Sequence, residues 1–183
     1  MVSKSKILGK SPLIFVTIGT TDFQFNRLFC AIDKAMHRLK SNPRLVAQMG
    51  KSNYNWEYKN IIQYDFLSPK QMRYYLSRAN RIITHCGYGT LQKIALKAKC
   101  CPLVVARLKK YQEHVNDHQL VFCNYLKKKT PDVAQNIIID DTSLDIAISS
   151  YLASKNTNMP SYVNWFASSP KRVIRHLQNF INS

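Results

Sequence analysis

The sequence predicts an α/β fold with a parallel sheet flanked by helices, and three observations lead there. Short unbroken apolar runs recur along the chain, amphipathic segments separate them, and glycines stand where the runs end. A strand buried on both faces is apolar throughout, whereas a strand with one wet face alternates. Runs of the first kind joined by helices make right-handed crossovers in a parallel sheet.

Leu13-Ile14-Phe15-Val16-Thr17-Ile18 is the first such strand, and Gly19-Thr20-Thr21 ends it. A helix follows from about residue 26 to 39, with Leu28, Phe29, Ile32, Ala35, Met36 and Leu39 at helical spacing. Residues 45–49 read as a second strand closed by Gly50, 51–59 as a loop, and 61–64 as a short strand. Ser68-Pro69 pairs an N-cap with a first-turn proline and opens a helix to about Arg78. A strand at 81–84, a helix at 90–99 and a strand at 102–106 come next. A polar loop then leads to a helix at 115–128, a strand at 137–139 and a helix at 143–153. The expected organisation is an N-terminal extension over 1–12, one α/β domain over 13–153, and a linker with a C-terminal helix over 154–183. In that last helix Val173, Ile174, Leu177, Phe180 and Ile181 share one face.

This order of elements is Rossmann-like, and such sheets bind ligands at the carboxyl ends of their strands. Three places qualify: Gly19-Thr20-Thr21, Gly87-Tyr88-Gly89-Thr90, and the polar segment from Arg107 to Gln119. Two glycines at a strand-to-helix turn let backbone approach a ligand, and the helix N-terminus favours a phosphate there. The pattern is neither a Walker loop nor a full dinucleotide fingerprint, and a tight structural turn would also use it. His114 and His118 stand four apart, a spacing that suits a metal, but no third ligand is evident and no metal is expected.

Composition narrows the partners. The 27 Lys+Arg against 10 Asp+Glu give a formal charge of +17, which draws nucleic acid, an anionic membrane face or a phosphorylated substrate. No zinc-finger spacing, RNP-type strand or basic coiled coil is present, and charge alone does not choose among the three; only the resemblance described below implies partners other than nucleic acid. The five cysteines show no CxxC spacing, which argues against both a disulfide framework and a zinc site. No secretory signal or bilayer-spanning run appears, so a cytoplasmic protein with at most peripheral membrane contact is expected.

Three segments carry a resemblance: Phe15-Val16-Thr17-Ile18-Gly19-Thr20, His85-Cys86-Gly87-Tyr88-Gly89-Thr90, and the stretch from Val104 to Gln119 that contains Glu113-His114-Val115-Asn116-Asp117-His118-Gln119. In order and spacing they resemble the C-terminal domain of glycosyltransferase family 28. Within it, the chain is similar to small bacterial exopolysaccharide and capsule glycosyltransferase subunits. It is more distantly similar to the soluble subunit of the eukaryotic transferase that builds dolichol-linked GlcNAc. The resemblance implies one half of a GT-B fold that binds a UDP-sugar with no cofactor. It implies a membrane-anchored, acceptor-binding partner subunit presenting a polyprenyl-diphosphate-linked sugar, and a location at the inner face of the cytoplasmic membrane through that partner. Two departures stand out. The acidic residue that often holds the ribose is replaced within Leu91-Gln92-Lys93, leaving Gln92 as the candidate, and Ala106 stands where a proline is common.

The implied reaction is an inverting displacement at the anomeric carbon. Gly19, Thr20, Thr21, His85, Gly87, Tyr88, Gly89 and Thr90 are expected around the diphosphate. Glu113, His114, Asp117 and Gln119 are expected to hydrogen-bond the donor sugar, and Arg107 is a further donor-binding candidate. His114 and Asp22 are the candidate bases for the acceptor proton. Two other readings stay open: a nucleic-acid or nucleotide-binding module, and a non-catalytic regulatory subunit.

Overall fold

The computed structural model describes residues 11–140, 142–154 and 163–166; the first ten residues, most of the expected linker and the C-terminal helix lie outside them. The elements are β1 (Leu13–Thr17), α1 (Asn26–Arg38), β2 (Arg44–Gln48), β3 (Ile61–Tyr64), α2 (Pro69–Arg78) and β4 (Arg81–His85). They continue as α3 (Tyr88–Lys97), β5 (Leu103–Val105), α4 (His118–Lys129), β6 (Ile137–Ile138) and α5 (Leu144–Ala153). The six strands form one sheet in the order β3-β2-β1-β4-β5-β6, and every neighbouring pair is parallel.

Because strand side chains alternate, each apolar run feeds two cores. Leu13 and Phe15 of β1, Ile82 of β4 and Val104 of β5 face one core, where α2, α3 and α4 pack through Leu76, Leu91, Ile94, Phe122 and Leu126. Ile14, Val16, Ile83 and Val105 face the other, covered by α1 and α5 through Phe29, Ile32, Leu144 and Ile148. Continuous apolarity in the sequence therefore reports two helix layers.

Local chemistry fixes the helix ends. Ser68 and Gln71 form a reciprocal capping box at α2, with Ser68 Oγ accepting from Gln71 N at 3.3 Å and Gln71 Oε1 accepting from Ser68 N at 2.9 Å. Tyr151 anchors α5 to the sheet: its hydroxyl donates to Cys101 O at 2.7 Å and accepts from Ile82 N at 3.1 Å. An Arg38–Asp145 ion pair joins α1 to α5. All five cysteines are free, and four of them are buried.

Two helices start elsewhere than the sequence pattern suggests. α3 begins at Tyr88 with Gly87 as its N-cap, which moves Gly89 and Thr90 into its first turn. α4 begins only at His118, because Lys109–Tyr111 form a 3-10 turn and Gln112 then takes a left-handed conformation (φ 56°). A further 3-10 segment, Pro131–Asn136, leads into β6 and is not foreshadowed by hydrophobic periodicity.

Candidate functional site

The strand order reverses beside β1, so the turns after β1 and β4 leave the sheet as neighbours. That is the switch point at which open α/β sheets hold ligands. His85, the last residue of β4, fills the space between the two turns. A Cβ on Gly19 would lie 2.8 Å from its Nε2, and a Cβ on Gly87 only 2.1 Å away. Both glycines are therefore required by the imidazole, and Gly19 also takes the left-handed conformation (φ 78°). Gly89 differs: a Cβ there would meet nothing within 4 Å, so this position opens outward.

His85 is 7% exposed, and its Nδ1 finds no protein partner in hydrogen-bonding geometry. Burial, reinforced by the positive charge of Arg107, lowers its pKa to about 3. The ring is thus neutral at physiological pH, a hydrogen-bonding group without a charge. Gln48 supports the first turn from β2, accepting from Thr17 Oγ1 at 2.7 Å and donating to Gly19 O at 3.2 Å.

In front of these turns lies a cleft of about 480 Å³. Of the residues the sequence predicts around a diphosphate, Gly19, Thr20, His85, Gly87, Tyr88, Gly89 and Thr90 line it and Thr21 does not. The sequence pattern did not point to the rest of the wall. Leu67 just before α2, Pro69, Met72 and Leu76 of α2, and Leu96 of α3 supply its apolar side, and Arg73, Lys93 and Lys97 supply three cations, with Gln48 also in the wall. Among the described residues, no carboxylate lines the cleft. Gln92 is half-buried on α3 but is not part of the wall; its neighbour Lys93 is. Cations one turn apart on a helix facing a second helix could have revealed Lys93 and Lys97, but only once the helix start was known.

The segment after β5 is organised differently. Arg107 is fully buried, and its guanidinium donates to the carbonyls of Ile18, Phe23, Gln24 and Glu113 at 3.0–3.2 Å. Burial pushes its pKa down to about 10, against the opposing pull of Glu113. Glu113 receives Arg27 through two 2.9 Å bonds and the Leu108 N–H at 3.0 Å. Gln119 is buried and accepts from Arg107 N at 3.2 Å, and Asp117 accepts from Lys109 N at 2.8 Å. The sequence predicts Glu113, Asp117 and Gln119 at the donor sugar and Arg107 among the donor-binding residues. In the structure the charged ends of Arg107 and Glu113 bond inside the protein, tying the turn after β1 to the loop after β5, and none of the four lines the cleft. Arg27, which carries this connection from α1, was not a sequence candidate.

His114 is half-buried, stacked on Phe23 with ring centroids 5.7 Å apart and meeting His118 edge to face at 4.3 Å. Its Nδ1 lacks a protein partner, and burial followed by the charge of neighbouring His118 lowers its pKa. Asp22 and Thr21 lie in the same post-β1 turn, Asp22 exposed. No group of three or more His, Cys, Asp or Glu placed to hold a metal occurs among the described residues.

Comparisons with known proteins agree with this architecture. The chain is similar to a solved glycotransferase of kitacinnamycin, at 18% identity and a TM-score of 0.55, with 92% of this chain matched to 40% of that one. A calicheamicin glycosyltransferase matches at 12% identity and a TM-score of 0.52, with 94% of this chain matched to 42% of the other. The chain thus spans about two fifths of each of these proteins and shares the fold of one Rossmann-like half of a GT-B enzyme. No curated protein sequence matches it. The family model for the glycosyltransferase family 28 C-terminal domain matches residues 13–161, so the chain belongs to that family.

Proposed function

We propose that the chain supplies the donor site of an inverting glycosyltransferase that takes a sugar from a UDP-sugar. The observation that carries this reading is the cleft at the switch point, with a helix N-terminus at one side, Arg73, Lys93 and Lys97 around it, and no carboxylate among the described residues of its wall. As the glycosidic bond to the nucleotide breaks, negative charge collects on the leaving diphosphate. Backbone N–H groups at Gly87–Thr90 and the dipole of α3 stabilise that charge without reorganising, and neutral His85 adds a hydrogen bond. The apolar wall from Leu67 to Leu76 suits the flat base of the nucleotide.

The acceptor in this reading is a polyprenyl-diphosphate-linked saccharide presented by a membrane-anchored partner subunit, as in exopolysaccharide or capsule assembly. A GT-B enzyme closes its donor half against an acceptor half, and this chain spans about two fifths of its solved relatives. The base that takes the acceptor proton is His114 or Asp22. His114, beside the turn after β1 and with its pKa lowered by burial, is neutral and can take a proton, and exposed Asp22 is the alternative.

The test is a thermal-shift titration of the protein with UDP, ADP, GDP and a DNA oligomer. Selective stabilisation by UDP is expected, on the order of 2.7 kcal/mol at a hundredfold excess over Kd. Stabilisation by DNA alone would replace this reading with a nucleic-acid-binding one. With the partner subunit and a UDP-sugar present, His114→Ala should abolish transfer; full transfer by that variant would remove His114 from the chemistry.

A further inference from the structure

The two helix layers differ in charge, and that difference has a direction. No Asp or Glu occurs between Asp65 and Glu113, and none occurs in α4. The helices α2, α3 and α4 therefore carry no carboxylate, and the nearest one in the chain is Asp132 in the 3-10 segment after α4. α2 contributes Lys70, Arg73 and Arg78, α3 contributes Lys93 and Lys97, and α4 ends in three consecutive lysines at 127–129. None of these eight forms an ion pair among the described residues. On the opposite layer, Arg27 of α1 pairs with Glu113, and Arg38 pairs with Asp145 of α5.

Exposed apolar groups sit within the same cationic field. Leu96, 63% exposed, stands on α3 between Lys93 and Lys97 at the edge of the cleft, which it also lines. Tyr74 is exposed on α2 beneath Arg78, whose guanidinium lies 4.1 Å from its ring centre. Phe66 is exposed just before α2, with Lys51 above it. Cations interleaved with exposed leucine and aromatic side chains match the chemistry of an anionic lipid surface, where headgroups take the charge and the interface takes the apolar groups.

We propose that the α2–α3–α4 layer is a docking face for an anionic bilayer, contacting it directly through this chain. Charge complementarity selects that occupant. A second copy of this chain carries the same +17, and residues 167–183 add Lys171, Arg172 and Arg175 with no acid, so neither complements the face. Nucleic acid would satisfy the cations but leave Leu96 without a partner. The cleft lies between α2 and α3, so docking through this layer holds its mouth close to the lipid headgroups.

The experiment is sedimentation of the full chain with vesicles of phosphatidylcholine alone or with one third phosphatidylglycerol. Binding is expected only to the anionic vesicles and should weaken with added salt. The triple variant Lys70→Glu, Arg78→Glu, Lys128→Glu, none of whose positions lines the cleft, should lower partitioning on the order of 100-fold. A control triple of equal charge, Lys34→Glu, Lys40→Glu, Lys59→Glu, should bind far better than the first. Equal loss in both triples would reduce the effect to bulk charge and overturn the proposal. So would equal binding to neutral vesicles, or an RNA oligomer captured by the protein that ignores the vesicles. Thermal midpoints and the UDP response of both triples should match the parent, so a failed donor reading and a failed docking face show up separately.

Discussion

The turns after β4 and β5 look alike in the sequence and behave in opposite ways in the structure. Each follows a buried strand and is rich in groups that suit a sugar nucleotide. The first presents its backbone to an open cleft, since Gly89 faces empty space and α3 starts beside it. The second folds its polar groups onto one another: Glu113 takes Arg27 and Leu108 N, and Arg107 takes four carbonyls. Polar density at a strand end is thus compatible with a ligand or with internal cross-linking. What separates the two is where partners of matching charge lie in space, and Arg27 is 86 residues from Glu113.

The sharpest way to break that contrast is to remove the carboxylate from the second turn. Glu113→Ala leaves Arg27 and the Leu108 N–H without their carboxylate acceptor and should cost about 3–5 kcal/mol in urea unfolding, because a charge left without its partner is expensive. A cost near zero would mean that the loop relaxes freely and the cross-link is incidental. Next in size is Gly87→Ala, whose added methyl would collide with His85 at 2.1 Å. It should destabilise by about 1–3 kcal/mol and abolish the UDP response, measured by unfolding and thermal shift together.

A third prediction concerns pH. His85 has a folded pKa near 3 against an ordinary 6.5. Below pH 6.5 the unfolded chain binds a proton that the folded chain refuses, so stability is lost as pH falls through that window. The slope contributed by His85 should approach about 1.4 kcal/mol per pH unit, and His85→Gln should flatten it. An unchanged slope in the variant would show that the ring is not held neutral. The smallest effect sharpens the first turn instead. Gly89→Ala meets no atom and lies within a helix, so it should stabilise by about 0.5–1 kcal/mol while weakening UDP binding, where backbone must approach the phosphates. Unaltered UDP affinity in that variant would place the diphosphate elsewhere.

The fold was largely legible. Strands buried on both faces announce themselves, and Ser68-Pro69 with Gln71 marks the start of α2 by capping chemistry alone. The starts of α3 and α4 were less so, because glycine at 87 and 89 weakens the helical pattern and Gln112 breaks the chain direction without any glycine or proline to signal it. In the site, the glycines and the histidine that ends β4 were readable from spacing. Gln48, Arg73 and Lys93 were not, because each belongs to a different element and meets the others only once the sheet order is known.

The imidazole wedged between Gly19 and Gly87 makes three positions, far apart in the chain, into one heritable unit. Any single enlargement at 19 or 87 is blocked while a histidine occupies 85, whereas a smaller residue at 85 would free the space at both and leave only the left-handed backbone at 19 to favour glycine. Sequence drift at this corner should therefore proceed through residue 85 first. A library that varies the three positions jointly will recover working combinations that one-at-a-time mutagenesis would discard.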